Sequence, residues 1–129
     1  MCKATLVPFV CAASIFCVPA LAQLAGVSRT PLKSIDFPEG YTTTSGITEI
    51  APHRSAGRHT HPGVDIGYVV EGEMVLRIDG MPEQTVKAGE PYLIPAGVPH
   101  DVFNRADKPM RAFGVFVVER GKALVSPAP

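Results

Sequence analysis

The sequence predicts an all-β fold in a single domain, on three observations. With Gly 12 and Pro 13 among 129 residues, the chain is rich in turn formers. Turn signals recur every eight to twelve residues between short apolar runs, the spacing of a sandwich or barrel. No stretch of ten residues keeps a helical period. The length suits one small domain rather than two. Lys plus Arg and Asp plus Glu are 12 each, so there is no basic excess of the kind a nucleic-acid binder uses on phosphates. At 46% hydrophobic and 19% charged, the chain has enough apolar residues for a packed core.

The first 22 residues stand apart from that domain. Lys3 supplies one positive charge, and Ala4 to Val18 carries none. Ala20-Leu21-Ala22 then offers a small-x-small cleavage pattern, completing the layout of a secretory signal peptide cut between Ala22 and Gln23. Pro8 and Pro19 interrupt the uncharged stretch and argue against a retained membrane anchor. Cys2, Cys11 and Cys17 all leave with this segment, so the mature chain has no thiolate for catalysis or ligation. Loss of Lys3 leaves the mature chain with a charge of −1.

The strands follow in order. Leu32 to Phe37 is an edge-strand candidate within an extended arm, and Ile47 to Ala51 is a strand closed by Pro52. Ile66 to Val70 is apolar and partly β-branched. Met74 to Ile78 alternates and runs into Asp79-Gly80, a hairpin signal. Gln84 to Lys87 ends at Ala88-Gly89, and Tyr92 to Ile94 stops at Pro95-Ala96-Gly97. His100 to Asn104 precedes the polar turn Arg105 to Lys108, and Arg111 to Val118 is the longest apolar strand. Ser126 to Pro129 reads as a loose tail. Phe103, Phe113 and Phe116 are expected in the core.

The chemistry is concentrated on histidine. In His59-Thr60-His61 the two imidazoles point to the same side of a strand. Asp65 lies four residues on and offers an oxygen. His100, just past the Pro95-x-Gly97 turn, projects into the same interior if the strands close into a barrel. Three neutral imidazoles and a carboxylate suit Fe²⁺, Mn²⁺, Co²⁺, Ni²⁺ or Zn²⁺. His53 is the only other histidine and is expected at the surface. Tyr68, Glu71, Arg77 and Tyr92 are ligand-contact candidates whose face depends on strand parity through Gly72. Asn104 is expected to bond backbone groups rather than a metal.

Residues 59 to 104 resemble a cupin domain of the type-2 kind. The family's first motif, G-x5-H-x-H-x3,4-E-x6-G, is met by His59, His61, Asp65 and Gly72. The second, G-x5-P-x-G-x2-H-x3-N, is met without a gap by Gly89, Pro95, Gly97, His100 and Asn104. Two positions depart from the pattern. His53 stands where the opening glycine is expected, and Asp65 replaces the usual glutamate with a side chain one methylene shorter.

The resemblance implies a cupin jelly-roll barrel, or double-stranded β-helix. Residues 1–22, read above as a signal peptide, are expected to precede an N-terminal arm, 23–45, that could exchange an edge strand in a dimer. Residues 46–120 form the barrel and 121–129 a C-terminal tail. It implies one divalent transition metal per chain on His59, His61, Asp65 and His100, with Asp65 binding directly or through water. Two functions follow as expectations. One is a metal-dependent dioxygenase acting on a small organic substrate, and the other a non-catalytic periplasmic module for a metal or small ligand. The mature protein is expected to be periplasmic or secreted, free of the membrane and homodimeric.

Overall fold

The structure, a computed structural model, describes residues 25–129; the signal-peptide reading therefore lies outside the described residues. Eleven strands run along the chain: β1 Val27–Ile35, β2 Tyr41–Ile50, β3 Arg54–Ser55, β4 His59–Thr60, β5 Gly63–Glu71, β6 Glu73–Ile78, β7 Gln84–Lys87, β8 Pro91–Ile94, β9 His100–Asn104, β10 Met110–Glu119 and β11 Ser126–Pro127. They form two antiparallel sheets, one in the order β1-β2-β10-β5-β8 and one in the order β11-β4-β9-β6-β7, with β3 also on β9. No helix occurs among the described residues.

Side-chain alternation builds the core. β10 buries every second residue, Met110, Ala112, Gly114, Phe116 and Val118. Ile50, Val69, Met74, Leu76 and Ile94 complete an apolar interior with almost no exposure. Turns fall at the anticipated glycines: Gly72, Gly80, Gly89 and Gly97 all have positive φ. His53 adopts φ 56°, a left-handed conformation that an L-residue enters at a cost of roughly 1–2 kcal/mol. The glycine that the motif places there would meet no such cost.

Three expectations are corrected. β1 begins at Val27, not Leu32, because its pairing with β2 extends from Val27↔Ile50 to Ile35↔Thr43. The Pro that would weaken a regular strand, Pro31, sits where the register shifts, and β1 is an edge. The tail is not loose: Ser126 and Pro127 pair with Thr60 and His59, and Ala128 N donates to Arg58 O at 3.1 Å. Phe113 and Phe103 are only partly buried. Phe113 has the outward parity of β10 and stacks near Tyr68 at 5.7 Å, and Phe103 lies under the Arg77 guanidinium at 4.6 Å. Of the three phenylalanines, only Phe116 is buried.

Asn104 closes the end of the barrel. It is 1% exposed, donates from Nδ2 to Ile50 O and Lys108 O at 2.9 and 2.8 Å, and accepts from Ala106 N at 3.0 Å. It thereby ties the turn between β9 and β10 to the end of β2, the backbone-bonding part expected of it.

Candidate metal centre

Two strands bring the histidines together. β4 pairs with β9 so that His59 faces His100 across the ladder. His61 follows β4 on the same side. The Pro95-Ala96-Gly97 turn docks onto it, Gly97 N donating to His61 O at 2.9 Å. Two segments far apart in sequence are thus joined by one register and one turn. The rings of His59, His61 and His100 lie 4.3–4.9 Å apart between centroids, and each is at most 4% exposed. Their candidate ligand atoms are all within 4.8 Å of one another.

Hydrogen bonding fixes which nitrogen is free. His59 Nδ1 donates to Gly57 O at 2.5 Å, His61 Nδ1 to Leu124 O at 2.7 Å and His100 Nδ1 to Val98 O at 3.0 Å. A carbonyl only accepts, so each Nδ1 carries the proton and each Nε2 keeps its lone pair. His100 Nε2 is buried with no hydrogen-bond partner. Such an orphaned acceptor, beside two equivalent imidazoles, is what a divalent transition metal would satisfy. The residues therefore fit the metal that the motif implies.

Asp65 is placed beside this cluster, not within it. It lies on the inner face of β5, opposite Phe116 on β10 and Ile94 on β8, and is 5% exposed. Its oxygens do not share the 4.8 Å neighbourhood of the three imidazoles. The Tyr92 hydroxyl donates to Asp65 Oδ1 at 3.4 Å. Both carboxyl and phenol line a cavity of about 30 Å³ with His59, His100 and Phe116. Phe116 also packs edge-on against His61 at 5.2 Å.

A row of glycines makes this arrangement possible. Gly46, Gly114 and Gly67 are consecutive partners across β2, β10 and β5, and Tyr92 on β8 continues the row. A Cβ on Gly114 would come within 2.9 Å of both Asp65 Oδ1 and the Tyr92 hydroxyl. Without side chains on β5 and β10 in this row, Tyr92 lies across the sheet and reaches Asp65.

Of the other candidates, Tyr92 faces the cavity while Tyr68 and Glu71 are exposed away from it. Arg77 is held outside by Glu83 at 2.6 Å, and His53 pairs at the surface with Asp107 at 2.8 Å. Two contributors were not singled out from the sequence. Leu124 acts through its carbonyl, which no side-chain pattern reports. Arg29 reaches the cavity from β1, a strand that carries no motif.

Burial holds the rings neutral. It pushes His59 and His61 down to about 4, against carbonyl hydrogen bonds acting the other way, and lowers His100 as well. Burial also raises Asp65 to about 7, opposed by the Tyr92 hydroxyl and the Arg29 charge. Tyr92 is raised by burial and by the Asp65 charge.

These shifts give the metal-free chain a defined pH dependence. Below the ordinary histidine value of 6.5 the unfolded chain takes up protons that folded His59 and His61 refuse until about 4. Stability is therefore lost as pH falls through that window. Asp65 acts oppositely: folded, it keeps its proton up to about 7, and unfolded it releases it near 3.8, so its contribution is lost as pH rises. His100 is shifted the same way as His59 and His61, so three lowered histidines oppose one raised aspartate. Stability should therefore rise with pH between about 4.5 and 6. Urea unfolding of the EDTA-treated chain measures this, and a midpoint that is flat or falls across the window would contradict it.

Comparison with known proteins agrees with the geometry. H2HPP isomerase of Bacillus subtilis is 28% identical over 103 residues, covering 74% of this chain and 44% of that protein. The HTH-type transcriptional regulator PuuR of Escherichia coli is 47% identical over 47 residues, 36% of this chain and 25% of the regulator. The chain thus spans less than half the length of the curated relatives it matches. The crystal structure of DMSP lyase DddQ from Ruegeria pomeroyi superposes with a TM-score of 0.67 at 18% identity, over 79% of this chain and 51% of the lyase, a likeness of fold. Residues 46–124, more than half of the chain, match the cupin domain family, and they contain all three clustered histidines, Asp65 and Tyr92. The chain belongs to the cupin domain family.

Proposed function

We propose that the mature chain is a metal-dependent enzyme that joins dioxygen to a small organic substrate. In this reading His59, His61 and His100 hold one divalent transition metal and Asp65 handles a proton beside it. The observation that carries the reading is the convergence of three buried Nε2 lone pairs, each fixed by a carbonyl on the opposite ring nitrogen. When bound, the metal supplies Lewis acidity and open coordination positions. The chain supplies the rest. Phe116 and the apolar wall keep bulk water from the site, and Asp65, shifted to about 7, can both accept and release a proton near neutral pH. Tyr92 orients that carboxyl through its hydroxyl. A cavity of about 30 Å³ has room for about two water-sized groups, so only a small part of a substrate enters it. The likeness to H2HPP isomerase supports catalysis.

Oxygen uptake by chain reconstituted with Fe²⁺ or Mn²⁺, across aromatic, flavonoid and thiol substrates, tests the proposal. Substrate-dependent uptake is expected in the wild type and lost in His100→Ala. Asp65→Asn should lower turnover about 10²–10⁴-fold while keeping the metal, and Asp65→Glu should retain activity. Uptake that survives in His100→Ala would overturn the mechanism. A second reading, a binding module without turnover, is favoured by the match to a stretch of a transcriptional regulator. It predicts ligand binding with no uptake, and Asp65 variants that change affinity alone.

The same proposal places the mature chain, starting at Gln23, in the periplasm or outside the cell, on the strength of the charge and apolar layout of residues 1–22. It also makes the chain a homodimer. The support is the outer face of the five-stranded sheet, where Ile66, Tyr68 and Leu93 lie side by side across β5 and β8, each roughly half exposed. Light scattering should show a dimer for the wild type and a monomer for Tyr68→Lys; a monomeric wild type would contradict it.

A further inference from the structure

We propose that Arg29 anchors the carboxylate of a small acidic substrate at the cavity lined by His59 and His100. This assignment rests on the metal-centre reading above and names the substrate class for it. Arg29 pairs with Thr48 on β2, and Thr48 with Ala112 on β10, so the three share one inward-facing row. All three line the cavity, with Asp65, His59 and His100 on its other walls. The guanidinium is thus carried from an edge strand to the site by ordinary strand parity.

Its lack of a counter-charge is what points to a ligand. Arg58, Arg77, Arg105, Arg111 and Arg120 each lie within 4.0 Å of a carboxylate. Arg29 has no such partner among the described residues, and neither has Arg54, but Arg54 is exposed and met by water. Arg29 is half-buried against an interior wall. Asp65 acts on it across the cavity without ion-pair contact, and burial works against its charge. A half-desolvated guanidinium without a partner is costly unless an anion completes it. Its planar fork matches the two oxygens of a carboxylate in a bidentate pair.

The test uses the full chain loaded with Co²⁺, whose visible absorption reports ligands at the metal, titrated with acetate, with acetamide as the neutral isostere and with inorganic phosphate. Acetate is expected to shift the bands saturably and acetamide not to. Arg29→Gln should weaken acetate binding roughly tenfold or more with cobalt content unchanged, and Arg29→Lys should restore part of it. Equal acetate affinity in wild type and Arg29→Gln, or binding of acetamide as tight as acetate, would overturn the proposal; phosphate binding tighter than acetate would overturn the carboxylate class. Cobalt content separates the two readings. Should the wild type take up no cobalt, the metal reading fails and the anchor is judged on the metal-free chain by amide NMR. Acetate-induced shifts at Arg29 and Thr48 that vanish in Arg29→Gln sustain it, and their absence overturns it.

Discussion

His59→Ala and His100→Ala are each expected to bring the divalent-metal content of the purified chain from about one ion to near none, with the far-UV signature of a β protein retained. The three imidazoles are the whole of the clustered donor set, and Asp65 stands outside their common neighbourhood. Removing one ring leaves two nitrogens and no replacement within reach. Loss of a group that merely supports a metal ligand typically costs about 10–100-fold in affinity, and loss of a ligand itself should exceed that. The fold should survive, because truncation at either position also removes a desolvated imidazole and its demand for a partner. His53→Ala is the control. It changes a surface histidine paired with Asp107 and should leave the metal in place. Elemental analysis decides the matter: equal metal in the wild type and both variants would mean that the ion, if any, sits elsewhere.

Gly63→Ala and Gly67→Ala should be the most damaging single-methyl changes in the domain, each costing about 3 kcal/mol or more. A Cβ on Gly63 would lie 1.7 Å from Val117 O, and one on Gly67 would lie 2.0 Å from Phe113 O and 2.7 Å from the Tyr92 hydroxyl. The obstructing atoms are mostly backbone of β10, which is held on its far side by β2 and does not rotate aside as a side chain would. Relief requires β5 and β10 to separate, and those two strands carry Asp65 and Phe116 beside the histidines. Gly80→Ala makes the comparison. It meets nothing within 4 Å and is strained only through its φ of 77°, so its cost should stay near 1–2 kcal/mol. Urea unfolding at fixed pH measures all three. A Gly67→Ala chain as stable as the wild type would show that β5 and β10 do not approach so closely.

Fold class and histidine set were both legible in the residues alone. Dense Gly and Pro, alternating apolar runs and turn signals follow from backbone geometry that acts over a few residues, so they can be read locally. His59, His61 and His100 were legible because motif spacing records which turns deliver each side chain. Asn104 was legible too, since a polar residue at a strand end has few other uses. Tertiary structure alone decided the remainder of the site. Asp65 shares the first motif with two of the histidines, yet it sits beside the cluster, because its place depends on the glycine row across β2, β10 and β5 and on Tyr92 lying over it. Phe113 and Phe116 are equally apolar, but strand parity turns one outward and the other against His61. Arg29 and the carbonyl of Leu124 come from the two ends of the described chain, and neither belongs to any motif. Their contribution exists only once β1 has paired with β2 and the C-terminal segment with β4. Pairing between distant strands sets which faces meet, and a pattern confined to neighbouring residues carries no record of it.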